Sequence, residues 1–109
     1  MCIFCKIIQG EMPTKKVFEN DKIIAFHDIN PQAKVHILVV PKIHFINVDD
    51  MRQEHVEYLT ECFVQIPQIA KRAGIKNGYR LIINNGEDAG QLVQHLHIHL
   101  MGGEQLKIC

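Results

Sequence analysis

Neither sign of charge predominates in this chain: 12 Lys and Arg stand against 12 Asp and Glu over 109 residues, a formal net charge of zero. That balance argues against a broad basic surface for gripping nucleic acid, so any bound nucleotide must be held by local groups. A run of about 18 apolar residues, the length needed to cross a bilayer as a helix, is also missing. The opening Met1-Cys2-Ile3-Phe4-Cys5-Lys6 lacks the basic and then apolar pattern of an export signal, so a cytoplasmic address is expected. The four cysteines, Cys2, Cys5, Cys62 and Cys109, are then expected to stay reduced. Nothing repeats internally, and no segment is of low complexity. A chain of this length with 47% hydrophobic residues fits one globular domain, 1–109, with a modest core. At this size a bound metal or a partner subunit is expected to add stability.

The most informative stretch is Gln91-Leu-Val-Gln-His-Leu-His-Ile-His-Leu-Met101. His95, His97 and His99 alternate with Leu96, Ile98 and Leu100, the period-2 pattern of a strand that turns three imidazoles to one face and three aliphatics to the other. Same-face neighbours on a strand lie roughly 6.5–7 Å apart, close enough for all three rings to serve one ligand. Imidazole near pH 7 can act as nucleophile, acid, base or metal ligand.

In chain order, the spacing of Ile3, Phe4, Ile7 and Ile8 predicts a short helix to about Gln9. Val17-Phe18 and Ile23–Phe26 predict a hairpin, and Val35–Val40 a central strand ending at Pro41. From about Asp49 to Ala73 the apolar spacing is helical, with Gly74 as its stop and Pro67 expected to kink or split it. Tyr79–Asn84 predicts a further strand before the histidine run. The expected class is α+β, an antiparallel sheet of about five strands with one long helix and a short N-terminal helix, both on one side.

Two smaller groups carry chemistry. In Asn84-Asn-Gly-Glu-Asp-Ala-Gly-Gln91 the glycines permit close backbone approach, and Asn84 and Gln91 offer amides suited to phosphate oxygens. Cys2-x-x-Cys5 presents two thiols from one helical turn. It reads as a buried pair, a redox couple, or half of a zinc site completed by His44 and His95. Its place at the opening of the chain, outside any βαβ unit, favours zinc. With four protein ligands the ion would be structural. Cys62 reads as a core residue, Cys109 as exposed, and His27 and His55 as surface or half-buried.

His95-Leu-His-Ile-His-Leu-Met101 resembles the signature of the histidine triad (HIT) superfamily. The similarity extends to Cys2–Ile7, Ala25–Pro31, His36–His44, Gly78-Tyr79-Arg80 and Gly102-Gly103, and is greatest to the Hint branch of purine nucleoside phosphoramidases. The resemblance implies a HIT fold in a two-fold dimer and hydrolysis of nucleoside 5′-phosphoramidates such as AMP–lysine conjugates. His97 would be the covalent nucleophile, assisted by His99 and His36. Asp28 would meet the ribose, Asn84, Gly90 and Gln91 the phosphate, and Phe4, Ile7, Phe26 and Ile29 the purine base. Structural zinc on Cys2, Cys5, His44 and His95, with no organic cofactor, completes the expectation. The implied partners are purine nucleotides, AMP or GMP conjugates, and a second copy of the chain, with no nucleic acid or membrane. Leu92 departs from the pattern, replacing a usual Ser or Thr hydroxyl. Alternatives are a dinucleoside polyphosphate hydrolase, a protein whose triad itself ligates metal, and a nucleotide-binding scaffold with weak catalysis.

Overall fold

Residues 2–108 are described by the computed structural model, so Cys109 lies outside the described residues. A short helix α1 (Ile3–Ile8) precedes strands β1 (Lys16–Glu19), β2 (Ile23–His27) and β3 (Val35–Pro41). The long helix α2 (Val56–Arg72), β4 (Tyr79–Ile82) and β5 (Ile98–Gly102) follow. The strands form one antiparallel sheet in the order β1-β2-β3-β5-β4. β3 lies at its centre, as its unbroken aliphatic run predicts, with six of its seven residues buried.

Side-chain alternation divides the core in two. Ile23 and Ala25 on β2, Ile37 and Val39 on β3, and Ile98 and Leu100 on β5 pack with Cys62, Ile66, Ile69 and Ala70 of α2. These helical positions recur at three to four residues and make one stripe. The intervening strand residues Ile24, Phe26, Leu38 and Val40 pack with Phe4 and the partly buried Ile7 and Ile8 of α1. The two helices therefore cover opposite faces, not one side as expected. Alternation of adjacent buried residues on β2 and β3 forces this, because each face of those strands is apolar and needs its own cover.

The helical region also differs in detail. Short 3-10 turns at Val48–Asp50 and Gln53–His55 precede α2, with extended backbone at Met51 and Arg52 between them. α2 runs unbroken through Pro67 rather than splitting there. Pro67 is exposed, so its missing N–H and the unpaired Phe63 carbonyl fall on the water side. His55 is buried, contrary to expectation: it stacks on Phe45 with ring centroids 4.3 Å apart, and its Nδ1 accepts the Arg52 N–H at 2.8 Å. Among the described residues no helix is long and apolar enough to cross a membrane.

Candidate active site and metal centre

The histidine run is only partly strand. The ladder pairs Leu38 with His99 and Val39 with Ile98 and ends there, so His95, Leu96 and His97 precede β5. Pro41 explains why: it has no N–H, and its carbonyl accepts the His95 Nε2–H at 2.9 Å. The Leu96 N–H turns instead to the Phe45 carbonyl at 2.8 Å. Leaving the ladder at this point swings His95 away from the other two rings.

His97 and His99 lie on the α1 face, with ring centroids 5.0 Å apart. His97 is buried, and its Nδ1 lies 2.7 Å from the His95 carbonyl. A carbonyl can only accept, so Nδ1 carries the proton and Nε2 keeps its lone pair. Burial holds the pKa of His97 below its ordinary value, which keeps the ring neutral. His36 receives the Gln32 N–H on Nδ1 at 2.9 Å, so its proton sits on Nε2, 2.9 Å from His99 Nδ1. His99 must then hold its own proton on Nε2, away from His36. Burial lowers the pKa of both, that of His99 to about 4. The Asp28 carboxylate stands 3.4 Å from His36 Nε2 and accepts the Asn30 N–H at 2.9 Å. The result is one ring with a free lone pair beside a relay of two rings that ends in an N–H donor.

Asp28, His36 and His99 also lie close enough to suggest a metal site. The protonation pattern argues against it, because His36 could ligate through Nε2 only as an imidazolate while Nδ1 accepts from Gln32.

The Cys2, Cys5, His44 and His95 group passes a stricter test. A tetrahedral site with Zn–S near 2.3 Å and Zn–N near 2.05 Å needs S–S, S–N and N–N edges of about 3.8, 3.6 and 3.3 Å. Three of the four sulfur–Nδ1 separations, 3.4, 3.4 and 3.6 Å, and the 3.2 Å between the two Nδ1 atoms fit these edges, while the sulfurs, 3.2 Å apart, must part by about 0.6 Å to admit the ion. Donation of His95 Nε2–H to Pro41 leaves the Nδ1 lone pair aimed into this cluster, the outer-sphere arrangement usual for ligating histidines. Four donor atoms so close repel one another unless protons or a cation lie between them. In the absence of metal, burial and the Cys2 sulfur raise the Cys5 thiol to about 11. His44 is exposed and leaves the cluster a path to solvent.

The remaining sequence candidates divide. Phe4 meets Phe26 edge-on at 5.6 Å and His97 edge-on at 5.0 Å, with Ile7 in the same apolar cluster. Asp28, Ile29 and His36 border an open groove of about 780 Å³ with Lys15 and Lys34, and Ile29 is 98% exposed. Gly90, at φ +81°, ends the 3-10 turn Glu87–Ala89, and Asn84 is half-buried before it. Gln91 is buried with its side chain fully committed. Its Nε2 donates to the carbonyls of Ile46 (2.7 Å) and Val93 (3.1 Å), and its Oε1 accepts from Gly86 N–H (2.9 Å) and Asn47 Nδ2 (3.1 Å). The amide expected to meet a phosphate instead pins the Gly86–Gly90 loop to the chain after β3. Asn47 and Asn85, which sequence reasoning passed over, complete that fastening: Asn47 Oδ1 accepts the Asp49 N–H and Asn85 Oδ1 the Val48 N–H. Asparagine beside a turn was the available signal.

Comparison with known proteins agrees with this geometry. The HIT domain family model matches residues 9–106. A 14 kDa zinc-binding protein of Zea mays is 42% identical, over 95% of this chain and 83% of its own. The solved histidine triad protein from Clostridium difficile superposes with a TM-score of 0.93 at 45% identity, covering 99% of this chain and 95% of that one. A HIT family hydrolase from Legionella pneumophila gives 0.92 at 42%, covering 98% and 96%. Alternating imidazoles on the central sheet, with the first ring diverted into a sulfur cluster, thus sit in a chain that belongs to the HIT family.

Proposed function

We propose that the protein hydrolyses purine nucleoside 5′-phosphoramidates through a covalent nucleotidyl-His97. One observation carries the reading: donation of Nδ1–H to the His95 carbonyl leaves His97 Nε2 with a free lone pair on a neutral, buried ring. In the first step that lone pair attacks the α-phosphorus and the P–N bond breaks. The departing amine leaves with a proton taken up from solvent, while His99 Nε2–H, oriented by the 2.9 Å hydrogen bond from His36, donates a hydrogen bond to the phosphoryl oxygen. Water then attacks the same phosphorus, the P–Nε2 bond breaks, the water's proton returns to solvent, and AMP or GMP leaves. Asp28 is positioned in this reading to accept from the ribose hydroxyls. Phe4, Ile7, Phe26 and Ile29 flank the base, Asn84 and Gly90 face the phosphate, and Gln91 acts there by holding the loop that carries Gly90. Zinc on Cys2, Cys5, His44 and His95 would tie α1 to the chain before β5. It takes no part in the steps, since four protein ligands leave no open position. Exposed Val56, Phe63 and Val64 on α2 supply apolar surface that a two-fold dimer would cover.

The test is release of AMP from adenosine 5′-phosphoramidate by wild type and His97→Ala, with mass spectrometric trapping of the adduct. Turnover with an adduct on His97, both absent in the variant, is the expected result. Turnover that survives in His97→Ala overturns the mechanism, and no turnover in wild type overturns the activity.

A further inference from the structure

Two links join the sulfur cluster to the proposed nucleophile, and they approach the His97 ring from different directions. The first is His95 itself. Its ring is held at both ends, by Nε2–H on the Pro41 carbonyl at 2.9 Å and by Nδ1 among Cys2, Cys5 and His44, while its own carbonyl receives the His97 Nδ1–H at 2.7 Å. Only the Cα lies between the tethered side chain and the carbonyl that fixes the His97 tautomer. Release of the ring from the cluster removes the tether on this stretch of backbone and frees that carbonyl to shift.

The second link is Phe4, which stands between Cys2 and Cys5 on α1. Its ring packs edge-on against His97 at 5.0 Å and 89°, and against His95 at 6.0 Å and 68°. α1 has only six residues, and its first turn is capped by Cys2 Sγ, which accepts the Cys5 N–H at 3.2 Å. A helix this short has little stability of its own, so its placement depends on packing and on whatever holds its two sulfurs. His95, Phe4 and His97 are all buried, and displacement of one is transmitted by contact to the others.

We propose that the Cys2–Cys5–His44–His95 cluster is a positioning device for His97, so that a metal ion held there controls the orientation and tautomer of the nucleophile without touching substrate. His95 and Phe4 are the positioning residues. The proposal rests on His97 being the nucleophile. Its consequence is that metal supply regulates the reaction through the ground-state geometry of one ring. Phe4 and Ile7 also flank the base in the proposed reading, so metal loss weakens AMP binding too, by less than it slows His97 nucleotidylation.

Protein labelled with 15N-histidine is prepared zinc-loaded, stripped with a strong chelator, and exchanged with the larger cadmium ion. Long-range 1H–15N spectra report the His97 ring in each form, rapid quench gives the rate of nucleotidyl-His97 formation, and calorimetry gives AMP affinity. Zinc-loaded protein is expected to show a single Nδ1–H tautomer. The stripped form is expected to show both tautomers, with nucleotidylation slowed roughly tenfold to a hundredfold, the scale on which small misplacement of a reacting group is felt, and AMP affinity reduced by a smaller factor. Should the stripped protein unfold, the cadmium form carries the test, with a shifted His97 resonance and a rate altered by about threefold or more. At limiting zinc His44→Ala should reproduce the stripped signature, and His44→Cys, which restores a ligand far from the reacting ring, should reverse it. His97 resonances identical in the zinc and cadmium forms overturn the proposal, as does an unchanged rate in folded, stripped protein. Absence of an adduct in every form refutes the nucleophile assignment instead, and the spectra still decide the coupling.

Discussion

Gln91→Ala separates two roles for one residue, and the structure sets the size of the effect. The wild-type side chain makes four hydrogen bonds in a position only 6% exposed. Truncation strips a partner from the carbonyls of Ile46 and Val93, from the Gly86 N–H and from Asn47 Nδ2. Each buried polar group left without a partner costs about 1–3 kcal/mol. The space vacated is polar and admits water, which recovers part of the loss. The expected net destabilisation is about 3 kcal/mol, and at roughly 5 °C per kcal/mol for a chain of this size the melting temperature falls by about 15 °C. Gln91→Glu should be worse near neutral pH, because it faces two carbonyl oxygens with a carboxylate oxygen. Urea and thermal unfolding of zinc-loaded protein measure the loss, with AMP affinity determined in parallel on the fraction still folded. An Ala variant within about 0.5 kcal/mol of wild type, combined with a large loss of AMP affinity, would refute the reasoning and return the amide to the phosphate.

Three further outcomes follow. Burial lowers the pKa of His99 from 6.5 to about 4, so between these values the unfolded chain binds a proton that the folded chain refuses. Its contribution is complete above pH 6.5 and lost as pH falls toward 4. Stability measured by urea should therefore drop more steeply over that window in wild type than in His99→Asn, and equal slopes would contradict it. Gly102→Ala places a Cβ 3.1 Å from the Gly78 carbonyl and 3.0 Å from Ile75 Cγ2, beside backbone that cannot yield easily. A destabilisation of about 1–3 kcal/mol is expected in urea, and a neutral variant would show that the sheet edge is softer than it looks. Cobalt(II) should bind one ion per chain with the visible spectrum of a tetrahedral two-sulfur, two-nitrogen site, and should release the Cys5 proton at neutral pH because that thiol sits at about 11. Retention of that spectrum in Cys2→Ser or His95→Asn would place the metal elsewhere.

Period-2 alternation from His95 to Leu100 was enough to divide imidazoles from aliphatics, because it reports the face each side chain takes. It carries no record of where backbone partners run out. The departure of His95 from the ladder depends on Pro41, more than fifty residues earlier in the chain, and this diversion sends one histidine to the sulfur cluster while leaving His97 and His99 side by side on the α1 face. Apolar spacing located α2 from Leu59, Phe63, Ile66 and Ile69. It could not show the interruption at Met51 and Arg52, because Met51, His55 and Leu59 keep a helical spacing straight across it. The doubly apolar strands β2 and β3 did carry the information that both faces need covering, in the adjacent Ile23-Ile24 and Ile37-Leu38. The bonding of Gln91 was not legible for a different reason: a glutamine able to bind phosphate and one able to bridge two loops are the same residue until the neighbours are known.

The metal cluster also constrains how the chain is made. Cys2 and His95 stand 93 positions apart, and a link between them closes a loop of that length. The length-dependent entropy of such a closure is roughly 4 kcal/mol. A nascent chain emerges amino end first, so α1 waits without its ligands through synthesis of β1 to β4 and α2. The His97 cradle is assembled only after β5 has left the ribosome. A polypeptide that has reached only Gln94 carries Cys2, Cys5 and His44 without the fourth donor, so the cluster closes only once His95 has emerged.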